Sequence, residues 1–292
     1  MLVVCLSAPA LGQVPDTDIW VAELRIDGDS IRVGPPRNTT HRPGYDNQPC
    51  FVGDGNVFLF SSADSSGRTD VFRWEAAGPR IVRLTATPES EYSPTPLEAP
   101  RHGFCAVRVE ADSTQRLWQF DADGAHPRPV MSDVDSIGYF AWIDDNHLAA
   151  FILGNERRGE PHTLRVIEVS SQRETIVARG IGRAIHRIPG GKDVSFVALD
   201  PDTSYRFFVL PYGATRAAPL IDAVGEGQDA AWLGDTLLMA GGTVIYGSQP
   251  RRADHAWRAV VDVSSAGITT VTRIAVAPDR TRIAFVAVSA TH

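Results

Sequence analysis

The chain has 292 residues, 43% of them apolar and 22% charged, with a formal net charge of −7. That is ordinary soluble globular composition. The charge balance offers no basic face to neutralise phosphates, so nucleic acid is excluded as a partner. Lys192 is the only lysine among 28 basic residues, which reads as genome base composition rather than a use of arginine.

Residues 2–12 are apolar or small and end in Ala8-Pro9-Ala10 and Ala10-Leu11-Gly12, both small-x-small patterns of the kind signal peptidase cuts. The stretch is shorter than the roughly 20 residues a membrane-spanning helix needs. It reads as the tail of a secretory signal peptide covering residues 1–13, with the true start expected upstream of Met1, and no integral membrane segment is expected. Cys5 follows Leu2-Val3-Val4 and lacks the small residue that usually precedes a lipidated cysteine, so lipidation is not expected. Residues 14–292 are expected to form a single domain.

Two strand patterns come next, Ile19 to Leu24 and Ile31 to Val33, joined by a hairpin turn at Asp27-Gly28-Asp29. Then an apolar phrase returns six times, as Phe58-Leu59-Phe60, Phe104-Cys105-Ala106, Leu148-Ala149-Ala150, Val194-Ser195-Phe196, Leu237-Leu238-Met239 and Ile283-Ala284-Phe285. The spacings are 46, 44, 46, 43 and 46 residues. A period near 45 suits a four-stranded propeller blade and is too long for a helical-pair repeat of about 34. Each repeat reads as an inner strand, a tight turn rich in Gly, Asp or Pro, the apolar strand, a polar loop, an alternating third strand, a turn and a fourth strand. The six repeats are expected at about 46–85, 91–131, 136–178, 182–221, 226–270 and from 273 onward.

The last repeat holds two strands, and the two N-terminal patterns have third- and fourth-strand character. The fold class expected is therefore all-β: a six-bladed β-propeller of four-stranded antiparallel blades, the last blade closed by N-terminal strands within about 17–40. Burying roughly six apolar side chains at that seam contributes on the order of 10 kcal/mol. Cys50 and Cys105 do not make a disulfide framework. Both lie in apolar runs and read as buried thiols, with a bridge between neighbouring blades as the alternative in an oxidising compartment. Trp20, Trp74, Trp118 and Trp257 are read as third-strand residues, and they, Trp142 and Trp232 are expected to pack between blades.

The stretch Pro49-Cys50-Phe51-Val52-Gly53-Asp54-Gly55-Asn56-Val57-Phe58-Leu59-Phe60-Ser61-Ser62 resembles the PD40 (WD40-like) repeat of TolB-type propellers, roughly P-x-W-S-P-D-G-x-x-I-A-F-x-S. Asp70 to Trp74 and Arg83-Leu84-Thr85 resemble the strand and closing L-T that follow it, and Ile274 to Ala287 is a second good copy. The other four copies are degenerate: a longer turn stands at 97–103, and Arg187 where the family has Trp. The resemblance spans about 17–288. It implies a six-bladed propeller exported to the bacterial periplasm or cell surface that acts by binding proteins or peptides. TolB itself also carries an N-terminal α/β domain, for which the 45 residues before the first repeat are too few, so a role outside the Tol–Pal system is expected.

Chemistry-bearing patterns are sparse. There is no Gly-x-Ser-x-Gly elbow, so a hydrolase of the prolyl-oligopeptidase type is not expected. The eight histidines form no His-x-His or His-Glu-x-x-His. Asp121-x-Asp123-Gly124, Asp27-Gly28-Asp29 and Asp200-Pro201-Asp202 read as turns rather than calcium loops. No metal or cofactor is expected. The residues that precede and open the inner strands would ring the channel mouth: Tyr45, Asp46, Glu91, Tyr92, Tyr139, Arg183, His186, Asp229 and Arg273. Such a polar, aromatic rim suits a peptide, an anionic sugar or a metal. The bland alternative has Asp46 and Glu91 satisfying local backbone, and Arg183 and Arg273 pairing with acids across the channel. The functional expectation is a non-enzymatic, monomeric propeller binding a cell-envelope protein or peptide at this mouth. The alternative is a propeller enzyme of lactonase, sugar lyase or cyclotransferase type, and a third reading is a structural ring within a larger exported assembly.

Overall fold

The computed structural model describes residues 16–78, 80–200 and 202–289. The leader pattern at 2–12 lies outside the described residues. Among the described residues the strands form six antiparallel sheets. The first is Asp46–Val52, Val57–Ala63, Thr69–Glu75 and Arg80–Arg83, each strand hydrogen-bonded to the next in chain order. The inner strands of the other five are Ser90–Pro96, Ile137–Trp142, Ile181–Arg187, Ala230–Leu233 and Ile268–Val276. The arrangement is a six-bladed propeller. The recurring apolar phrase falls on each blade's second strand. In Phe104–Val109 and His147–Ile152 five of six residues are buried. A strand covered on both faces by neighbouring blades reads as a continuous apolar run rather than an alternating one.

The ring closes through the N-terminus. Asp18–Asp27 pairs antiparallel with Arg282–Ser289, with Trp20 opposite Phe285 and Ala22 opposite Ile283. Ser30–Val33 then pairs with the far half of Asp18–Asp27, matching Val33 to Leu24. The fourth strand of this blade is longer than expected and broken. After Gly34-Pro35-Pro36 it resumes at Arg37–Asn38, opposite Val21 and Trp20. Proline has no amide hydrogen to donate to a ladder, so the interruption falls where the prolines stand.

Arg42 fastens the returning chain to the first blade. Two of its nitrogens donate to Asp46 Oδ1 at 3.1 and 2.6 Å, and Nη2 also donates to the Ala63 carbonyl at 3.0 Å and to Ser62 Oγ. On the opposite side of the same seam Arg282 Nη1 donates to the Gly55 carbonyl at 3.0 Å and to Asn56 Oδ1 at 2.6 Å. Gly55 has φ +75°, and a Cβ there would stand 2.6 Å from that of Ala277, so the turn demands glycine twice over.

Six apolar clusters fill the wheel, one between each pair of neighbouring blades. Trp20, Trp74, Trp142 and Trp232 belong to these clusters as expected. Trp118 packs at the edge of one, beneath the Arg108 guanidinium at 4.2 Å. Trp257 also packs between blades as expected, against the cluster shared by blades four and five, but its place in a third strand is a correction. It lies in the loop before Arg258–Asp262, outside the third strand Val244–Ser248, and its indole donates to the Asp222 carbonyl at 2.8 Å. The sixth blade also starts earlier than expected, at Ile268, because bulges at 268–270 and 271–273 break the alternation that marks a strand. Cys50 and Cys105 are free thiols, the first half-buried and the second buried.

Removing residues 14–40 strips the sixth blade of its outer strands and exposes Phe285 and Ile283. Such a truncated chain is expected to be insoluble; a soluble form with a cooperative thermal transition would contradict the closure.

Candidate functional site

The six inner strands converge on a central cavity of about 370 Å³. Its wall takes residues from all six blades, among them Gln48, Ser93, Tyr139, Arg183, Asp229 and Arg273. Five of the inner strands carry a bulge or register shift, including 47–50, 92–95 and 271–273. Bulges re-aim side chains and recur beside sites. Gln48 and Ser93 occupy matching bulge positions, with φ +57° and +53°, each followed by a proline. Gln48 Oε1 accepts the Ser93 amide at 2.7 Å, which ties the first two blades together at the channel wall.

Arg183 Nε and Arg273 Nη1 both approach Asp229 Oδ2 at 3.3 Å. Asp229 Oδ1 accepts the Ile274 amide at 3.2 Å, and Arg183 Nη2 donates to the Thr272 carbonyl at 2.9 Å. The Arg273 guanidinium stands 5.4 Å from the Tyr139 ring centroid, and its Nη2 reaches the Tyr139 hydroxyl at 3.5 Å. Tyr45 faces the same group. Burial pushes its phenol well above the usual range, with Arg273, Tyr139, Tyr92 and Arg183 all in electrostatic reach. His186 completes the wall. Burial holds its imidazole below the ordinary value, against the pull of Asp229, so it is neutral at pH 7. A second cavity, of about 180 Å³, shares Arg183, Asp229 and Arg273 with the first. The ion cluster is thus a waist between two spaces.

Of the nine expected rim residues, Tyr139, Arg183, His186, Asp229 and Arg273 line the cavity. Tyr45 is buried within electrostatic reach of the arginines, and Tyr92 packs against the apolar cluster between blades two and three. The other two stand apart. Asp46 and Glu91 occupy the same position in successive blades, and both side chains are fully buried. Asp46 is held by Arg42. Glu91 accepts Arg108 Nε at 3.0 Å, Thr87 Oγ1 at 2.6 Å and Thr85 Oγ1 at 3.0 Å. Burial raises both carboxyls above their ordinary range despite these partners. Glu91→Ala would leave Arg108 buried without its partner. A loss of about 3–5 kcal/mol is expected, read as a lowered urea midpoint; a midpoint within error of the parent chain would show the pair to be idle.

The far mouth holds residues the sequence reading did not single out. Arg187 pairs with Glu98 across the opening, joining blades four and two, which are not neighbours. Arg101 stacks 3.9 Å above the Trp142 ring and lies 3.4 Å from Asp145. Asp144 takes the Asn146 amide at 3.0 Å, His147 Nδ1 at 2.9 Å, the Tyr212 hydroxyl at 2.9 Å and Lys192 at 3.3 Å. Partial burial opposes ionisation, and these donors outweigh it, so the carboxyl sits far below its ordinary range. The sign follows from linkage. A depressed carboxyl stabilises the fold above the unfolded-state value near 4, and that contribution fades as pH falls toward the folded value. Asp144→Ala is expected to cost about 1–3 kcal/mol at pH 7 and progressively less below pH 4. Melting curves at pH 7, 4 and 3 check this; a cost independent of pH would remove the charge from the account.

Among the described residues no three His, Cys, Asp or Glu side chains gather as a metal site, and no helix is long and apolar enough to cross a membrane. Burial pushes the thiols of Cys50 and Cys105 up to about 12. Cys105, fully buried, is therefore expected to resist alkylation at pH 8 in the folded protein and to react once urea unfolds it; rapid labelling of both thiols in the native chain would contradict its burial.

No protein-family profile and no curated protein matches the chain. Solved structures do. A putative TolB from Agrobacterium tumefaciens superposes with a TM-score of 0.70 at 12% identity, over 93% of this chain and 98% of that one. A chain of a nidogen–laminin complex gives 0.68 at 11% identity, over 90% and 99%. An oligogalacturonate lyase from Vibrio parahaemolyticus gives 0.50 at 12%, over 96% and 99%. These likenesses establish the fold as that of a TolB-like six-bladed propeller. Since the same fold serves a lyase as well, function must be argued from the site.

Proposed function

We propose that the chain is an exported, non-enzymatic, monomeric propeller that holds a protein or peptide segment of the cell envelope at the mouth of its channel. The observation that supports this most is the convergence of Tyr139, Arg183, His186, Asp229 and Arg273 on one concave space. Tyrosine and arginine are the residue types that dominate binding energy at protein interfaces. They stand on or beside inner strands braced by blades on either side, so little order remains to be gained on binding. Export rests on the small-x-small leader at residues 2–12.

Panning a random peptide library against the full chain tests the reading. Enriched peptides are expected to lose about tenfold or more in affinity with Tyr139→Ala, measured by titration calorimetry. A selection that yields only peptides insensitive to Tyr139 and Tyr92 would overturn it.

A further inference from the structure

The channel waist has an imbalance of donors over acceptors. Two guanidiniums, permanently charged, share the single carboxylate of Asp229. Asp229 is itself fully engaged, with Oδ1 on the Ile274 amide and Oδ2 between both arginines. Arg183 Nη1 and Arg273 Nε make no hydrogen bond among the described residues, and the same holds for the hydroxyls of Tyr45 and Tyr92. The imidazole of His186 adds no negative charge. Acids at the far mouth do not correct the balance, because Glu98 holds Arg187, Asp145 holds Arg101 and Asp144 is surrounded by donors. Glu226 stands at the near rim, exposed to water. A concave site with two arginines to one acid at its waist and idle guanidinium N–H donors is complementary to an anion with several lone pairs.

We infer that the channel waist takes a carboxylate carried by the bound peptide, either its C-terminus or an acidic side chain, between Arg183 and Arg273; this rests on the peptide-binding reading above. A carboxylate offers planar, paired acceptors to match the guanidinium forks. Its size suits a cavity of about 370 Å³ whose wall near the two arginines carries Tyr139 and His186. The unused N–H groups of Arg183 and Arg273 discriminate against an uncharged amide, which would leave part of this array unsatisfied.

The test uses the full chain and three probes: N-acetyl-glycyl-glycine, its C-terminal amide, and galacturonate as a non-peptide carboxylate. Binding is read by tyrosine fluorescence and by chemical-shift titration at low salt. The acid is expected to saturate and to bind at least tenfold tighter than the amide. Arg183→Gln and Arg273→Gln should each weaken the acid about tenfold or more, leave the amide unchanged, and shift the melting temperature little. Equal binding of acid and amide, or no saturation by the acid at tens of millimolar, would overturn the inference. Tighter binding of galacturonate than of the peptide acid would also overturn it, by assigning the site to a sugar acid. Library peptides that lack an accessible carboxylate yet still sense Tyr139→Ala would sink this inference and leave the peptide-binding reading standing. The absence of any Tyr139-sensitive peptide would sink the peptide-binding reading and, with it, the assignment of the carboxylate to a peptide, even where the acid still binds.

Discussion

The ladder between Asp18–Asp27 and Arg282–Ser289 is what the channel depends on. Six inner strands can face one axis only if the wheel is complete, and the sixth blade is complete only when the two ends of the chain meet in one sheet. Its apolar part sets Trp20, Ala22 and Leu24 against Ile283 and Phe285 in the cluster shared with the fifth blade. Ile19, Ala284 and Val286 face the other way, into the cluster shared with the first blade. Every second residue along the two strands thus serves one interface or the other, so a one-residue slip would disturb both. The polar fastenings of Arg42 and Arg282 then fix the turn and loop that cross the seam. Arg183, Asp229 and Arg273 come from three consecutive blades, so their meeting is a direct product of this closure.

Buried charge is divided between two tasks. Asp46 and Glu91 lie at the blade boundaries, fully covered, each paired with an arginine. Breaking one of these pairs is costly chiefly because an uncompensated charge is left in a medium that solvates it poorly. The waist of the channel is different. Its two arginines outnumber its one acid, and the surplus faces open space rather than protein. Net charge distributed in this way serves recognition more than stability. The first arrangement holds the wheel; the second is available to a ligand.

The architecture was readable in the sequence because burial on both faces imposes a repeated apolar run, and because Gly, Asp and Pro mark the turns between strands. The closing blade was readable because Ile19 to Leu24 and Ile31 to Val33 had no other sheet to join. Trp257 was misplaced because its loop, Gln249 to Trp257, is long enough to shift the register of the repeat. Within the site, Tyr139, Arg183, His186, Asp229 and Arg273 line one cavity, while Tyr92 is drawn into the apolar packing between blades two and three. Asp46 and Glu91 also stand on inner strands, yet strand alternation turns them toward the blade boundary, where Arg42 and Arg108 wait. Arg108 was not visible by spacing, since it lies 17 residues from Glu91 on the next strand. The Arg187–Glu98 pair spans 89 residues and two blades that do not touch, a contact for which no local pattern exists.

Backbone amide exchange tests the closure most directly, because it reads the seam in the intact chain. If the sixth blade is built from both ends, the amides of Ile19 to Leu24 exchange as slowly as those of Ile283 to Ala287 and are released in the same global opening. Exchange of the N-terminal segment within seconds, while Ile283 to Ala287 stays protected, would contradict it.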